Sequence, residues 1–180
     1  MVDRNICRID GEKVYLSILR DDDWAISKYV EWMSDEATNV LVEKNQTILD
    51  PSNMPSWVMD HSINRMGIVY KETDTLIGFC HIDHRADCHS AWLSINVGDK
   101  SMRGKGIGTE VMRMLCDFCL KEYGVASIHL DVLEANSAAI ACYEKIGFKK
   151  SGVYRNHCFH EGKYSNWIHM DMLPEEFIRE

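Results

Sequence analysis

Three of the chain's eleven glycines fall within five residues, in Arg103-Gly104-Lys105-Gly106-Ile107-Gly108. An apolar, β-branched run over 91–97 precedes this cluster. A helical pattern over 109–123 follows it, with Val111, Met114, Leu115, Phe118 and Cys119 at i, i+3, i+4, i+7 and i+8. Strand, glycine turn, helix commits this part of the chain to an α/β arrangement. Glycine lets backbone N–H groups approach an anion with no Cβ in the way, and the start of a helix adds partial positive charge. The loop therefore reads as a pyrophosphate cradle. A Walker loop needs Gly-x4-Gly-Lys-Ser/Thr, and a dinucleotide fingerprint needs Gly-x-Gly-x-x-Gly. The spacing Gly104-x-Gly106-x-Gly108 satisfies neither. The alternative is a tight strand–helix turn whose glycines serve only the bend.

The remaining pattern builds one domain around this unit. Residues 13–19 read as a strand. Asp21-Asp22-Asp23 opens a helix of about three turns with Trp24, Ile26, Tyr29, Val30 and Met33 on its apolar side. Residues 34–55 are polar and contain Pro51 and Pro55, so a loop is expected there, with a short helix over 56–63. Residues 66–71 and 75–83 predict a hairpin, in which Gly78 signals a bulge or a close backbone approach. Residues 127–133 predict a buried strand, and 137–146 a helix with Asn136 as N-cap and Gly147 beyond its end. Residues 153–160 and 164–173 predict a final hairpin. A length of 180 residues, without linker composition or repeats, suits a single α/β domain over 1–180, its strands partly antiparallel at both ends.

Charge and cysteine usage narrow the function. The net charge is −8 and no basic stripe occurs, which argues against nucleic acid as partner. No apolar run approaches the roughly 20 residues that span a membrane, so no membrane association is expected. The first residues, Met1-Val2-Asp3-Arg4-Asn5, contain no apolar export core, and a cytoplasmic location is expected. The seven cysteines form no even framework and read as reduced thiols. Cys116 and Cys119 have metal-like spacing but share one helix face with no second pair nearby. The run from His81 to His89 is richer in ligand types, yet reads as a polar strand end with His81 and Asp83 on one face and His84 on the other. No metal is expected.

A second motif lies downstream: Asn136-Ser137-Ala138-Ala139-Ile140-Ala141-Cys142-Tyr143-Glu144-Lys145-Ile146-Gly147-Phe148. Its small residues would let a ligand lie against the helix. Taken with Arg103, Gly106 and Gly108, this element resembles the GNAT superfamily of acyl-CoA-dependent N-acetyltransferases. Asn136, Ala139, Ile140, Tyr143, Gly147 and Phe148 match the family's second motif. The likeness covers residues 12–173. Three segments, 29–35, 97–100 and 160–164, are similar to the branch of spermidine, ribosomal-protein N-terminal and amino-sugar acetyltransferases.

The resemblance implies a mixed, mostly antiparallel twisted sheet with helices on both faces and a splayed central strand pair. It implies an acetyl-CoA-binding core over about 91–148 and acceptor specificity in about 22–62 and 153–173. Acetyl-CoA would lie against Ser94, Ile95, Asn96 and Val97, with its pyrophosphate on Arg103, Gly104, Lys105, Gly106, Ile107, Gly108 and Thr109 and its arm near Asn136. Tyr143 would protonate the departing sulfur. Many members of this branch carry a glutamate where this chain has Trp92 in Ala91-Trp92-Leu93-Ser94. A base at that position is thereby excluded, and Asp83, Glu31 and Glu134 are the substitute candidates, beside attack by free amine through ordered water. Trp32, Trp57, Trp92 and Tyr164 are candidate acceptor walls. The implied reaction is acetyl transfer from acetyl-CoA to a primary amine, polyamine-like by the acidic surroundings. Protein N-termini, amino sugars and a non-catalytic acyl-CoA-binding module are the alternatives. A homodimer is consistent with the family.

Overall fold

A computed structural model describes residues 6–18, 23–35, 64–160 and 162–179. Among these residues eight strands form one sheet in the order β1-β2-β3-β4-β5-β6-β8-β7. They are β1 (Cys7–Asp10), β2 (Val14–Ile18), β3 (Asn64–Tyr70), β4 (Thr75–Arg85), β5 (Ser90–Val97), β6 (Ser127–Leu133), β7 (Lys149–His160) and β8 (Lys163–Met172). Among the described residues three α-helices accompany them: α1 (Asp23–Met33), α2 (Ile107–Phe118) and α3 (Ser137–Glu144). All pairings are antiparallel except β5 with β6. This is the mixed, mostly antiparallel sheet that the family resemblance implies.

The two faces separate by side-chain parity. Ala91 and Leu93 of β5, Ile128, Leu130 and Val132 of β6, and Ile168, Met170 and Met172 of β8 join one core. The buried stripe of α2 (Ile107, Val111, Met112, Leu115, Cys116) and Ile140 and Tyr143 of α3 complete it. On the opposite face α1 packs Tyr29 and Trp32 against Phe79 of β4, with ring centroids 5.7 and 5.3 Å apart. Helices thus cover both faces.

Several boundaries differ from the sequence reading. Strand β1 is an addition: its CRID sequence is short and mostly exposed, so it carries no hydrophobic alternation. Helix α2 starts two residues before the expected position and ends in a π-helical turn over Cys119–Tyr123, closed by left-handed Gly124. Strand β7 begins at Lys149, immediately after α3 and its turn. The short helix expected over 56–63, and Trp57 with it, lies outside the described residues.

Gly78 behaves as expected and positions the site. The β3–β4 register shifts there, pairing Ile68 with Gly78 and Val69 with Leu76. Ile77 is left as the extra residue, and its carbonyl accepts a hydrogen bond from Asp99 N at 3.0 Å. An ideal Cβ on Gly78 would sit 2.2 Å from Asn96 O, so only glycine permits this approach. The bulge therefore tethers the segment between β5 and the glycine loop.

Candidate active site

The parallel pairing of β5 and β6 covers only Ser90↔Ser127, Ala91↔Ile128 and Trp92↔His129. Beyond Trp92 the two strands part. On its other side β5 stays paired with β4 as far as Val97, and β6 pairs with β8 from Ile128 to Leu133. Residues 93–97 therefore turn one row of backbone N–H and C=O groups into the gap, an unpaired edge that can accept an extended ligand.

The gap opens into a cavity of about 500 Å³. Its lining includes Ser94, Ile95, Asn96 and Val97 of β5; Arg103, Gly104, Gly106, Gly108 and Thr109 of the glycine loop; and Asn136 and Tyr143. These are eleven residues that the sequence singled out, gathered from three segments. The lining comes from both faces of the sheet. Thr109, Ala139, Cys142 and Tyr143 lie on the α2–α3 side, while Ser94, Asn96, Asp131 and Trp167 lie on the α1 side. The cavity passes through the splay.

The glycine loop has a defined geometry. Gly104 and Gly106 adopt φ of +74° and +81°, left-handed conformations that favour glycine. Gly106 is the N-cap residue of α2 and brings no side chain over the helix start. The first-turn N–H groups of α2 have no partner within the helix. An ideal Cβ on Gly108 meets no described atom within 4 Å, so the space above the first turn is open. Arg103 lines the cavity and also braces the loop. It donates from Nε to Val97 O at 2.9 Å and from Nη2 to Gly98 O at 3.4 Å, fastening the loop to the end of β5. Lys13, which the sequence reading did not single out, donates from Nζ to Lys105 O at 3.0 Å and puts a cation beneath the loop. Glu110 accepts from Lys13 N and Val14 N at 2.8 and 3.3 Å and anchors α2 to β2. Lys105 and Ile107 do not line the cavity; Ile107 is a core residue.

Asn136 caps α3, its Oδ1 accepting from Ala139 N at 3.2 Å. Tyr143 is buried, and burial pushes its phenol well above its ordinary pKa, so it is a neutral O–H donor at neutral pH. Thr109 Oγ1 and Cys142 Sγ, 3.1 Å apart, link α2 to α3 at the cavity wall.

The acceptor-side candidates are dispersed. None of Glu31, Trp32, Asp83, Trp92, Glu134 and Tyr164 lines the cavity. Glu31 pairs with Lys28 at 2.8 Å. Trp32 is buried between Phe79 and the backbone of Gly98. Asp83 accepts both Nε and Nη2 of Arg85. Glu134 accepts from Asn166 Nδ2 at 2.9 Å, and Tyr164 is exposed against Phe159. Trp92 stands nearest the splay and stacks on His129. The sequence reading missed Asp131 and Trp167, which do line the cavity. Strand alternation in 127–133 places Asp131 on the face opposite the core, the one signal that could have raised it. His84 stacks on Tyr123 with centroids 4.2 Å apart. Among the described residues no group of three or more His, Cys, Asp or Glu could hold a metal ion.

A half-paired parallel strand couple beside a glycine-capped helix start defines an acetyltransferase fold. The spermidine N-acetyltransferase of Vibrio cholerae, solved in complex with CoA and spermine, shares it with a TM-score of 0.76 at 18% identity, over 91% of this chain and 97% of that one. A GNAT-family acetyltransferase of Bacillus anthracis shares it with a TM-score of 0.77 at 17% identity, over 93% and 99%. The family model described as acetyltransferase (GNAT) domain matches residues 16–172, and the chain belongs to that family. Curated relatives match in part. The SPbeta prophage-derived uncharacterized N-acetyltransferase YokL of Bacillus subtilis is 35% identical over 75 residues, 42% of each chain. The aminoglycoside N(6')-acetyltransferase type 1 of Klebsiella pneumoniae is 38% identical over 56 residues, 31% of this chain and 28% of that one. This chain thus spans less than half the length of either relative. No described helix is long and apolar enough to cross a membrane.

Proposed function

We propose that this domain transfers an acetyl group from acetyl-CoA to a primary amine of a small polycationic acceptor, polyamine-like in character. The observation that carries the reading is the single cavity joining the unpaired edge of β5 to the glycine-capped start of α2. The residues fit acetyl-CoA. Residues 94–97 offer an extended backbone edge for the pantetheine amides, the loop over 103–109 offers N–H groups for the pyrophosphate, and Asn136 stands beside the arm. When bound, acetyl-CoA supplies the activated thioester acetyl.

The chain's own groups do the rest. Backbone N–H groups facing the splay polarise the acetyl carbonyl and stabilise the developing oxyanion. Tyr143, held protonated by burial, donates to the leaving sulfur. A cationic acceptor is supported by the net charge of −8, by Asp131 in the cavity wall, and by the polyamine and aminoglycoside acceptors in the names of similar proteins. Seven unpaired thiols support a reducing, cytoplasmic setting.

Release of free CoA from acetyl-CoA tests the reading, against spermidine, spermine, kanamycin, short peptides with free N-termini and amino-sugar nucleotides. Turnover of a polycationic amine is expected. Silence across the panel, with acetyl-CoA still raising the melting temperature, favours the non-catalytic acyl-CoA-binding alternative. Turnover of peptides or amino sugars alone overturns the acceptor assignment.

A further inference from the structure

A chain of net charge −8 repels a polyanion, so local cations and backbone N–H groups must hold one. The first turn of α2, where the pyrophosphate is proposed to bind, itself carries an acidic residue, Glu110. The two cations within the glycine loop have partners of their own. Arg103 donates to Val97 O and Gly98 O, and Lys105 Nζ lies 3.7 Å from Met102 Sδ. A third cation comes from a distant part of the chain: Lys13 Nζ donates to Lys105 O at 3.0 Å.

Lys13 is delivered to the loop by a firmly held turn. It stands between β1 and β2, and its backbone is pinned on both sides. Its N–H donates to Glu110 Oε1 at 2.8 Å, and its carbonyl accepts from Lys71 N at 3.0 Å. The turn is seated on α2, since an ideal Cβ on Gly11 would lie 2.6 Å from Met114 Sδ and 2.7 Å from Glu110 Oε1. From this base the side chain runs to the loop, where Nζ is 3.7 Å from the ideal Cβ position of Gly106.

What Lys13 grips is one end of a peptide unit. In a planar trans peptide the C=O and the following N–H point to opposite sides. Holding Lys105 O therefore directs the Gly106 N–H away from Lys13. Gly106 lines the cavity and Lys13 does not. The Gly106 N–H donates to no atom among the described residues. A cation on the carbonyl also polarises the peptide and strengthens its N–H as a donor.

We propose that Lys13 is a positioning residue for the acetyl-CoA pyrophosphate: it anchors the Lys105–Gly106 peptide from outside the cavity and aims the Gly106 N–H at the anion. The anion site is thus completed from the β1–β2 turn, outside the loop and helix that carry the glycine motif. The inference rests on the proposed acetyl-CoA site.

Calorimetric titration tests it, with acetyl-CoA and with acetyl-pantetheine, which keeps the thioester arm and lacks the pyrophosphate. Lys13→Met should weaken acetyl-CoA about 5-fold and acetyl-pantetheine less than about 2-fold. Lys13→Arg keeps a cationic donor and should bind acetyl-CoA within about 2-fold of the wild type. Lys13 is exposed, so Lys13→Met should keep the unliganded melting temperature within about 2 °C of the wild-type value. A larger drop would assign the loss to folding and overturn the positioning role. Equal losses on the two thioesters, or an arginine variant as weak as the methionine variant, would overturn it too. Wild-type protein that binds no acetyl-CoA would remove the proposed cofactor site itself. Wild-type binding with Lys13→Met unimpaired would remove only the part given to Lys13.

Discussion

Trp92 and His129 form the last register pair between β5 and β6, and their rings stack with centroids 5.3 Å apart. Two large rings fill the apex where the strands diverge. The backbone beyond Trp92 has no partner on β6, while β4 and β8 hold the two strands from outside. The gap is therefore maintained by the sheet itself and does not depend on a ligand to keep it open.

Tyr143 is buried beside Phe148, with ring centroids 6.0 Å apart, and its hydroxyl is held protonated by that burial. Tyr143→Phe preserves the packing and removes only the proton donor. We expect kcat to fall about 100-fold with little change in the KM for acetyl-CoA. Steady-state kinetics on a responsive amine will show it. An unchanged kcat would take Tyr143 out of the acid role.

Gly98 follows β5 directly, and an ideal Cβ there would lie 2.1 Å from Trp32 Cδ2. The indole is buried against Phe79 and cannot retreat without disturbing α1. Gly98→Ala should destabilise the fold by about 1–3 kcal/mol through overpacking, read as a lower urea midpoint. Pairing it with Trp32→Leu should recover much of the loss, and independent, additive losses would contradict the contact.

His81 lies on β4 between Arg65 of β3 and Ser94 of β5. Burial first, and then the Arg65 charge, lowers its pKa to about 4, against a smaller opposing effect of Asp83. An unfolded chain takes up this proton near pH 6.5 and the folded chain only near 4. Between those values the unfolded state binds more protons, so stability falls as the pH falls. The loss begins near 6.5, amounts to at most about 3 kcal/mol and is complete below 4. His81→Gln should flatten this part of the curve. Urea midpoints from pH 7 to 4 that fall equally in both proteins would refute the assignment.

The glycine loop and the Asn136 helix were legible because their determinants are local. Glycines that need left-handed φ, an Asn cap and a 3.6-residue apolar period all lie within short windows. The strand parity of His81, Asp83 and His84 was legible for the same reason. The acceptor side was not. Whether Trp32 walls a pocket or fills a core depends on Gly98, which lies 66 positions away in the chain and meets it only through packing. The contact of His169 Nδ1 with Asp131 Oδ1, at 2.8 Å, depends on the β6–β8 register, and the two residues are 38 positions apart. Nothing in the alternation of either strand says which residue will stand opposite which. Register shifts in β7 between Lys150 and Gly152 and between Tyr154 and Cys158 have no local signature either.

The central claim is that the splay and the glycine loop form one acetyl-CoA site, and Gly108 offers the most direct test. Unlike Gly104 and Gly106, it is not in a left-handed conformation, and a Cβ there meets no described atom within 4 Å. Gly108→Val should therefore leave the fold intact and push a side chain into the cavity over the first turn of α2. Calorimetric titration with acetyl-CoA should give one site per chain for the wild type, with Kd in the micromolar range, of the order of common enzyme substrate affinities. The folded Gly108→Val protein should bind at least about 10-fold more weakly, a loss of about 1.4 kcal/mol. Absence of binding by the wild type, or equal binding by both proteins, would contradict the account.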